Sequence, residues 1–321
     1  MSSWQTIEND AGVFTQLVKD LGVEGVQFEE VPLVEHLATL NSPLYGVIFL
    51  FKYERQNYAG EAPVQGEFEQ ACPEGLFFAQ QTIPNACATQ TVLNTLLSIG
   101  NDHRNSIRLG TVLSDFLQFT AGFSDPALRG ETITNSVAIR NVHNSFTSPD
   151  PFEHEEPSPS AQSSEAAFHY SGFVPYNGYI YELDGLHPRP IIHRAYGANN
   201  DDPAVFAANL AALLSARMSM VADSSFSVTA IVRDKLEHLT EQLDAPDVDD
   251  GRRFWLQDLI QDELRVRDRW AKEIALRRDG LVGLVYAVFK QMLGSMSDDE
   301  FAQRRAAAAA RTNERERRRT C

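Results

Sequence analysis

Phe168-His-Tyr-Ser-Gly-Phe-Val174 and Tyr179-Ile-Tyr-Glu-Leu183, joined by Pro175-Tyr-Asn-Gly178, form the stretch on which the fold turns. Both runs are rich in aromatic and β-branched residues, and Asn-Gly between two such runs is a strong short-range hairpin signal. Two registers are open. If the chain reverses between Tyr176 and Asn177, facing residues have numbers that sum to 353, and His169 stands opposite Asp184, because 169 plus 184 is 353. If Asn177 and Gly178 are themselves the turn, the sum is 355 and Asp184 lies diagonal to His169 on the same face. In both cases an imidazole and a carboxylate are held on neighbouring strands; a one-residue slip would part them.

Outward from the hairpin, Pro190 to His193 reads as a third strand, Pro203 to Ser215 as a helix and Phe226 to Val232 as a further strand. Upstream, Tyr45-Gly-Val-Ile-Phe-Leu-Phe51 is an apolar run rich in β-formers, as expected of a strand covered on both faces. Asp10 as N-cap and Gly22 as C-cap bracket a helix carrying Val13, Phe14, Leu17, Val18 and Leu21, and a short helix follows Pro32. Cys87 to Ile99 is a helix whose Val92, Leu93, Leu96, Leu97 and Ile99 bury one side and which Gly100 ends. Helices are also expected over Val112 to Phe119 and Ile133 to Phe146. Strands mixed with helices in this order point to an α/β or α+β domain.

Two stretches break the pattern. From Thr147 to Ser164 the chain carries four prolines, five serines and a cluster of acids, the composition of a long mobile loop, and it lies between two candidate catalytic elements. Asp244-Ala-Pro-Asp-Val-Asp-Asp-Gly251 is a polar, acidic boundary. It divides a domain over residues 1–243 from a helical extension over residues 252–321. In that extension Phe254 to Arg278 reads as an exposed amphipathic helix, and Leu281 to Leu293 sets Leu284, Val285, Val288 and Met292 on one face. Asp298 to Arg319, with five successive alanines from Ala306, has high helix propensity and a weak apolar stripe.

The 321 residues, 43% of them hydrophobic, suffice for a large core. No run of about 18 apolar residues and no basic-then-apolar leader is seen, so neither membrane nor export is expected. Three cysteines, Cys72, Cys87 and Cys321, cannot all pair and read as free thiols in a reducing compartment. A formal net charge of −16 disfavours a nucleic-acid backbone as partner. The arginine-rich stretch from Arg304 to Arg319 does not reverse this, since no aromatic residues interleave for base stacking. Clustered Cys and His spacings of a zinc site are missing, and nothing calls for a metal or organic cofactor.

The chemistry concentrates in Gln81-Thr-Ile-Pro-Asn-Ala-Cys-Ala-Thr-Gln90, where a loop becomes a helix. Backbone N–H groups and the helix dipole at such a terminus stabilise a thiolate on Cys87 and can hold an oxyanion. Acyl transfer by a thiol needs an imidazole to return a proton to the leaving amine and a third group to orient that imidazole. Of eight histidines, His36 and His238 fall on helices, His103 in a turn, His154 in the mobile loop and His143 near a helix end. His169 has Asp184 within reach. Gln81, six residues before the cysteine, supplies an amide for the oxyanion. A free cysteine is as readily a small buried apolar residue, and local spacing alone does not carry Cys87 to His169.

At these residues the chain resembles the ubiquitin carboxyl-terminal hydrolases. Gly75-Leu-Phe-Phe-Ala-Gln-Gln81 with Asn85-Ala-Cys-Ala-Thr-Gln90 is similar to the family's glutamine and nucleophile motif, Phe168-His169 to its histidine motif, and Tyr181-Glu-Leu-Asp-Gly-Leu186 to its aspartate motif. Trp4-Gln-Thr-Ile-Glu-Asn-Asp-Ala-Gly-Val-Phe-Thr15 resembles the family's opening segment, with Ala11 where proline is usual. The resemblance implies an α+β, papain-like fold with a mainly antiparallel sheet, and a thiol hydrolase that cleaves after the C-terminal glycine of ubiquitin through a thioester. It implies Cys87 as nucleophile, His169 as general acid/base, Asp184 as its orienting group, Gln81 as oxyanion donor, and Glu8 and Asp10 as ubiquitin contacts. The loop over 147–164 becomes an active-site crossover that limits the attached group.

The extension is similar to that of the proteasome-associated subtype, which implies ubiquitin conjugates and a proteasomal ubiquitin receptor as partners and the cytoplasm and nucleus as location. Arg277 to Leu293 carries that likeness. The tail after it is arginine- and alanine-rich where lysine and glutamate are usual. The alternative is a ubiquitin-binding regulator of the proteasome with latent or vestigial hydrolysis; all four catalytic residue types are present, which favours the enzyme.

Overall fold

The computed structural model describes residues 4–54, 58, 62–100, 107–147, 168–220, 225–279 and 281–319. Its frame is a seven-stranded sheet in the order β1-β7-β2-β4-β5-β6-β3. The strands are β1 (Val26–Glu30), β2 (Leu44–Lys52), β3 (Glu67–Phe68), β4 (Phe168–Tyr176), β5 (Tyr179–Leu183), β6 (Ile191–Ile192) and β7 (Ser227–Arg233). Every pairing is antiparallel. The α+β class and the mainly antiparallel sheet are as expected from the sequence.

The β4–β5 hairpin takes the second of the two registers. Tyr176 pairs with Tyr179 and Phe173 with Glu182, so facing numbers sum to 355. Asn177 and Gly178 both have positive φ, 47° and 81°, as the primed turn that suits strand twist requires. Gly178 is needed twice, because a Cβ there would also lie 2.2 Å from the Ala198 carbonyl oxygen.

Helices cover both faces. Against one lie α1 (Ala11–Asp20), α2 (Cys87–Gly100), α3 (Gly110–Thr120), α4 (Pro126–Asn135) and α5 (Val137–Asn144); their core holds Phe14, Leu17, Leu93, Leu96, Ile133 and Tyr170. Against the other packs α6 (Pro203–Ser219), with Phe206, Leu210 and Leu214 on Val47, Phe49 and Phe173. Thus β2 is buried on both faces, as its continuous apolar run anticipates. In α1, Asp10 Oδ1 accepts from the Val13 N–H at 2.9 Å, and Gly22 takes φ 92° just beyond the helix.

Three expectations need correction. The single helix over Ile133 to Phe146 is two, broken at Ser136, whose extended backbone and side-chain oxygen cap α5. The short helix after Pro32 is a tight 3-10 segment, Val34–Thr39. Most telling, α2 is buried on every side from Ala88 to Ile99, not along one stripe. Its polar residues are internal fasteners: Gln90 Nε2 and Asn94 Nδ2 each donate to the Ala79 carbonyl at 3.0 Å, Asn94 Oδ1 accepts from the Ala79 N–H, and Ser98 bonds both main-chain groups of Phe77. Positions 90, 94 and 98 recur every four residues, so one face of the helix stitches down the strand-like segment that ends in Gln81.

Downstream come α7 (Lys235–Leu243), α8 (Asp250–Arg278), α9 (Val282–Gly294) and α10 (Asp298–Arg319). The first turn of α8 lies inside the expected boundary segment, capped by Asp249, which accepts from the Arg252 N–H. Its far half packs on α1: Ile274 is buried in the α1–α2 core and the Trp270 ring fills the space over Gly12. Beyond it, Leu284, Val285, Val288 and Phe289 of α9 are all at least half exposed. Among the described residues no helix is long and apolar enough to cross a membrane, and no His, Cys, Asp or Glu cluster could hold a metal.

Candidate active site

Cys87 opens α2 and is half-buried. The main-chain N–H groups of Ala88 and of Cys87 lie near its sulfur and favour the thiolate. Burial nonetheless pushes the thiol above its ordinary value; the two N–H groups, which favour the thiolate, offset only part of that. The balance therefore favours the neutral thiol over the thiolate.

The candidate base, His169, lies across the α2–β4 contact. Thr91 Oγ1 donates to the Tyr170 carbonyl at 3.2 Å, and a Cβ on Gly172 would stand 2.1 Å from Thr95 Oγ1. One helical turn therefore advances in step with two strand residues. A turn back from Thr91 brings Cys87 to the start of β4, where His169 is. The Tyr170 phenol registers this nearness, for burial first and the Cys87 charge second raise it well above its usual range.

His169 is buried, and its Nε2 lies 2.6 Å from Asp184 Oδ1. In the observed register Asp184 is diagonal to His169 on the same face, just beyond β5, and that diagonal is short enough to bridge. Asp184 Oδ1 also accepts from the Leu186 N–H at 2.9 Å, and Oδ2 accepts from the Tyr58 hydroxyl at 2.8 Å. The tautomer that gives Nε2–H to the carboxylate leaves Nδ1 unprotonated. Among the described residues no hydrogen bond links His169 to Cys87. The imidazole instead meets Phe51 edge-on, ring centres 5.7 Å apart.

Gln81 is tied to the same corner, its N–H donating to the Gly185 carbonyl at 2.7 Å, the residue after Asp184. The segment that ends in Gln81 thus meets the turn after Asp184 while α2 holds that segment from behind. Glu8 and Asp10 stand apart from this corner: Asp10 caps α1, and both carboxylates lie near Arg277 of α8, at 3.0 Å from Glu8 Oε2 and 3.3 Å from Asp10 Oδ2. The expected crossover loop over 147–164 falls outside the described residues except for Thr147.

Two features had no sequence signal. Tyr58 sits in a stretch without periodicity. Beneath Asp184, Glu182 is fully enclosed: Oε1 accepts from Ser171 Oγ at 2.9 Å and Arg217 at 2.6 Å, Oε2 from Arg217 at 2.7 Å and His193 at 3.0 Å. Burial alone would raise the Glu182 carboxyl, but the Arg217 charge and these hydrogen bonds hold it well below the usual carboxylate range. Polar alternation marks β5 as a strand but does not say which long side chain, 35 residues away, will fork onto it.

A thiol at a helix N-terminus beside a His–carboxylate pair on adjoining strands is the layout of a cysteine hydrolase. The chain matches the family model "Ubiquitin carboxyl-terminal hydrolase, family 1" over residues 4–219. It belongs to that family and is a cysteine-type ubiquitin hydrolase. It is 36% identical over 299 residues to ubiquitin carboxyl-terminal hydrolase 2 of Schizosaccharomyces pombe, covering 92% of this chain and 93% of that protein. It is 31% identical to ubiquitin carboxyl-terminal hydrolase ubh-4 of Caenorhabditis elegans, over 90% and 87% of the two chains. A crystal structure of Trichinella spiralis UCH37 bound to ubiquitin vinyl methyl ester superposes with a TM-score of 0.62 at 30% identity, covering 83% of this chain and 99% of that one.

Proposed function

We propose that the chain cleaves the bond after the C-terminal glycine of ubiquitin through a thioester on Cys87, and that it works at the proteasome. The observation that carries the chemistry is the 2.6 Å His169–Asp184 pair beside the start of α2. In this reading His169 Nδ1 takes the thiol proton and the sulfur attacks the glycine carbonyl. The oxyanion is met by the Gln81 amide and the Cys87 N–H. The imidazolium then protonates the leaving amine, the carbon–nitrogen bond breaks, and a water deprotonated by His169 opens the thioester. Ubiquitin as the acyl group is supported by the vinyl methyl ester complex of the similar UCH37 chain. Ubiquitin carrying a carboxyl-terminal electrophile is expected to form one adduct per chain, mapped by peptide mass to Cys87. No adduct, or one on Cys72, would overturn the assignment.

Within the same reading Glu8 and Asp10 meet ubiquitin, which then has to share or displace Arg277. The residues over 1–243 act as the catalytic unit, the loop over 147–164 limits the leaving group, and the free thiols suit the cytoplasm and nucleus. Docking of the extension on a proteasomal ubiquitin receptor is supported by the exposed apolar row of α9. Leu284→Asp with Val288→Asp is expected to release the protein from proteasomes in co-sedimentation while leaving hydrolysis of a small ubiquitin adduct unchanged. Undiminished co-sedimentation would remove α9 as the docking face.

A further inference from the structure

We infer that Tyr58 is a positioning residue for Asp184, an inference that rests on the catalytic reading of His169 and Asp184. The carboxylate is held at two places. Oδ1 takes His169 Nε2 and the Leu186 N–H, while Oδ2 has the Tyr58 hydroxyl at 2.8 Å. A carboxylate fixed through one oxygen alone can turn about its Cβ–Cγ bond and carry the acceptor out of the imidazole plane. A charge-assisted bond to the second oxygen removes that freedom.

The phenol is itself braced. Its ring stacks with Tyr53 at 5.2 Å and 23°, lies against His187 at 4.7 Å, and meets the His169 ring edge-on at 5.9 Å and 90°. Tyr58 thus touches both members of the pair, orienting one through its oxygen and walling the other with its ring. Burial first, and the Asp184 charge second, raise the phenol far above its ordinary value, which keeps the hydroxyl a donor. Behind it a cavity of about 60 Å³ is lined by Phe51, Asp184, Arg217 and Phe226. With the hydroxyl gone, the carboxylate has room to turn into that space.

The test is Tyr58→Phe in the full-length chain, which deletes one oxygen and keeps the ring. With a fluorogenic amide of ubiquitin, kcat is expected to fall about ten- to a hundredfold, the range set by one hydrogen bond to a charged group, with KM within twofold. The acidic limb of the pH profile should move upward, because a carboxylate relieved of a donor holds the His169 proton more tightly and the imidazole must be neutral to act as base. The unfolding temperature is expected to stay at the wild-type value. Tyr53→Leu, which loosens the stack but keeps the hydroxyl, should leave the pH profile in place. An unchanged kcat and profile in Tyr58→Phe overturns the inference, as does a kcat that falls only together with the unfolding temperature while the profile stays put. Asp184→Asn separates the two levels: if it is inactive and Tyr58→Phe is normal, only the role of Tyr58 falls; if it turns over like wild type, the catalytic reading falls with it.

Discussion

Cys87→Ala is expected to lower turnover of ubiquitin adducts by at least about 10⁴-fold, leaving only what binding and the oxyanion donors supply without a nucleophile. Affinity for ubiquitin should be unchanged, since removing one sulfur atom takes no surface from the binding face. Kinetics with a fluorogenic substrate and calorimetric titration of ubiquitin read the two separately. Cys72→Ala is the matched control. Both thiols are raised by burial, but the Cys72 sulfur sits 3.3 Å from the Leu76 carbonyl, away from a helix N-terminus and from any oriented imidazole. If Cys87→Ala retained a tenth of the wild-type rate, or if Cys72→Ala matched its loss, the layout described here would not be the one that works. On the proposed mechanism thiol and imidazole act as a unit, so adding His169→Ala to Cys87→Ala should cost little more.

Arg217→Met is expected to destabilise the fold by about 3–5 kcal/mol, the usual consequence of removing one partner of a buried, hydrogen-bonded ion pair. That is a large part of the roughly 5–15 kcal/mol that holds a domain together. Glu182 is 2% exposed and spends both oxygens on Arg217, Ser171 and His193, so the methionine leaves an enclosed carboxylate without its guanidinium. Equilibrium unfolding in urea measures the loss.

The pH dependence has a definite sign. The Glu182 carboxyl is depressed in the fold, so its contribution is fully present above the unfolded value of about 4.3 and is lost as pH falls below it. The gap between wild type and Arg217→Met should therefore narrow in acid. Glu182→Gln added to Arg217→Met should recover part of the loss, as coupled neighbours do. A single-variant loss under about 1 kcal/mol, the scale of an exposed pair, would mean that the network is solvated.

The hairpin separates what was legible from what was not. Aromatic and β-branched runs around Asn177-Gly178 specify two strands and a primed turn, because local sterics decide them. Either two-residue register also leaves His169 and Asp184 on one face, because side-chain alternation is a parity rule. The caps of α1 and the apolar run of β2 were readable for the same reason: each depends on residues within a turn or two. Parity could not choose between the two registers or say that a diagonal pair would close to 2.6 Å.

From the sequence by itself, then, came the α+β class, the hairpin, the helix at Cys87 and a resemblance carried by four short motifs. Only the tertiary structure decided that α2 is buried on all sides, that Gln90, Asn94 and Ser98 bind the segment leading to Gln81, and that Thr91 and Gly172 bring the thiol to the start of β4. It alone brought Tyr58 to Asp184 and Arg217 to Glu182. Those contacts join residues from 11 to 126 positions apart. Their partners are chosen by how layers pack and where glycines let backbones approach, and no local pattern in the chain encodes that choice.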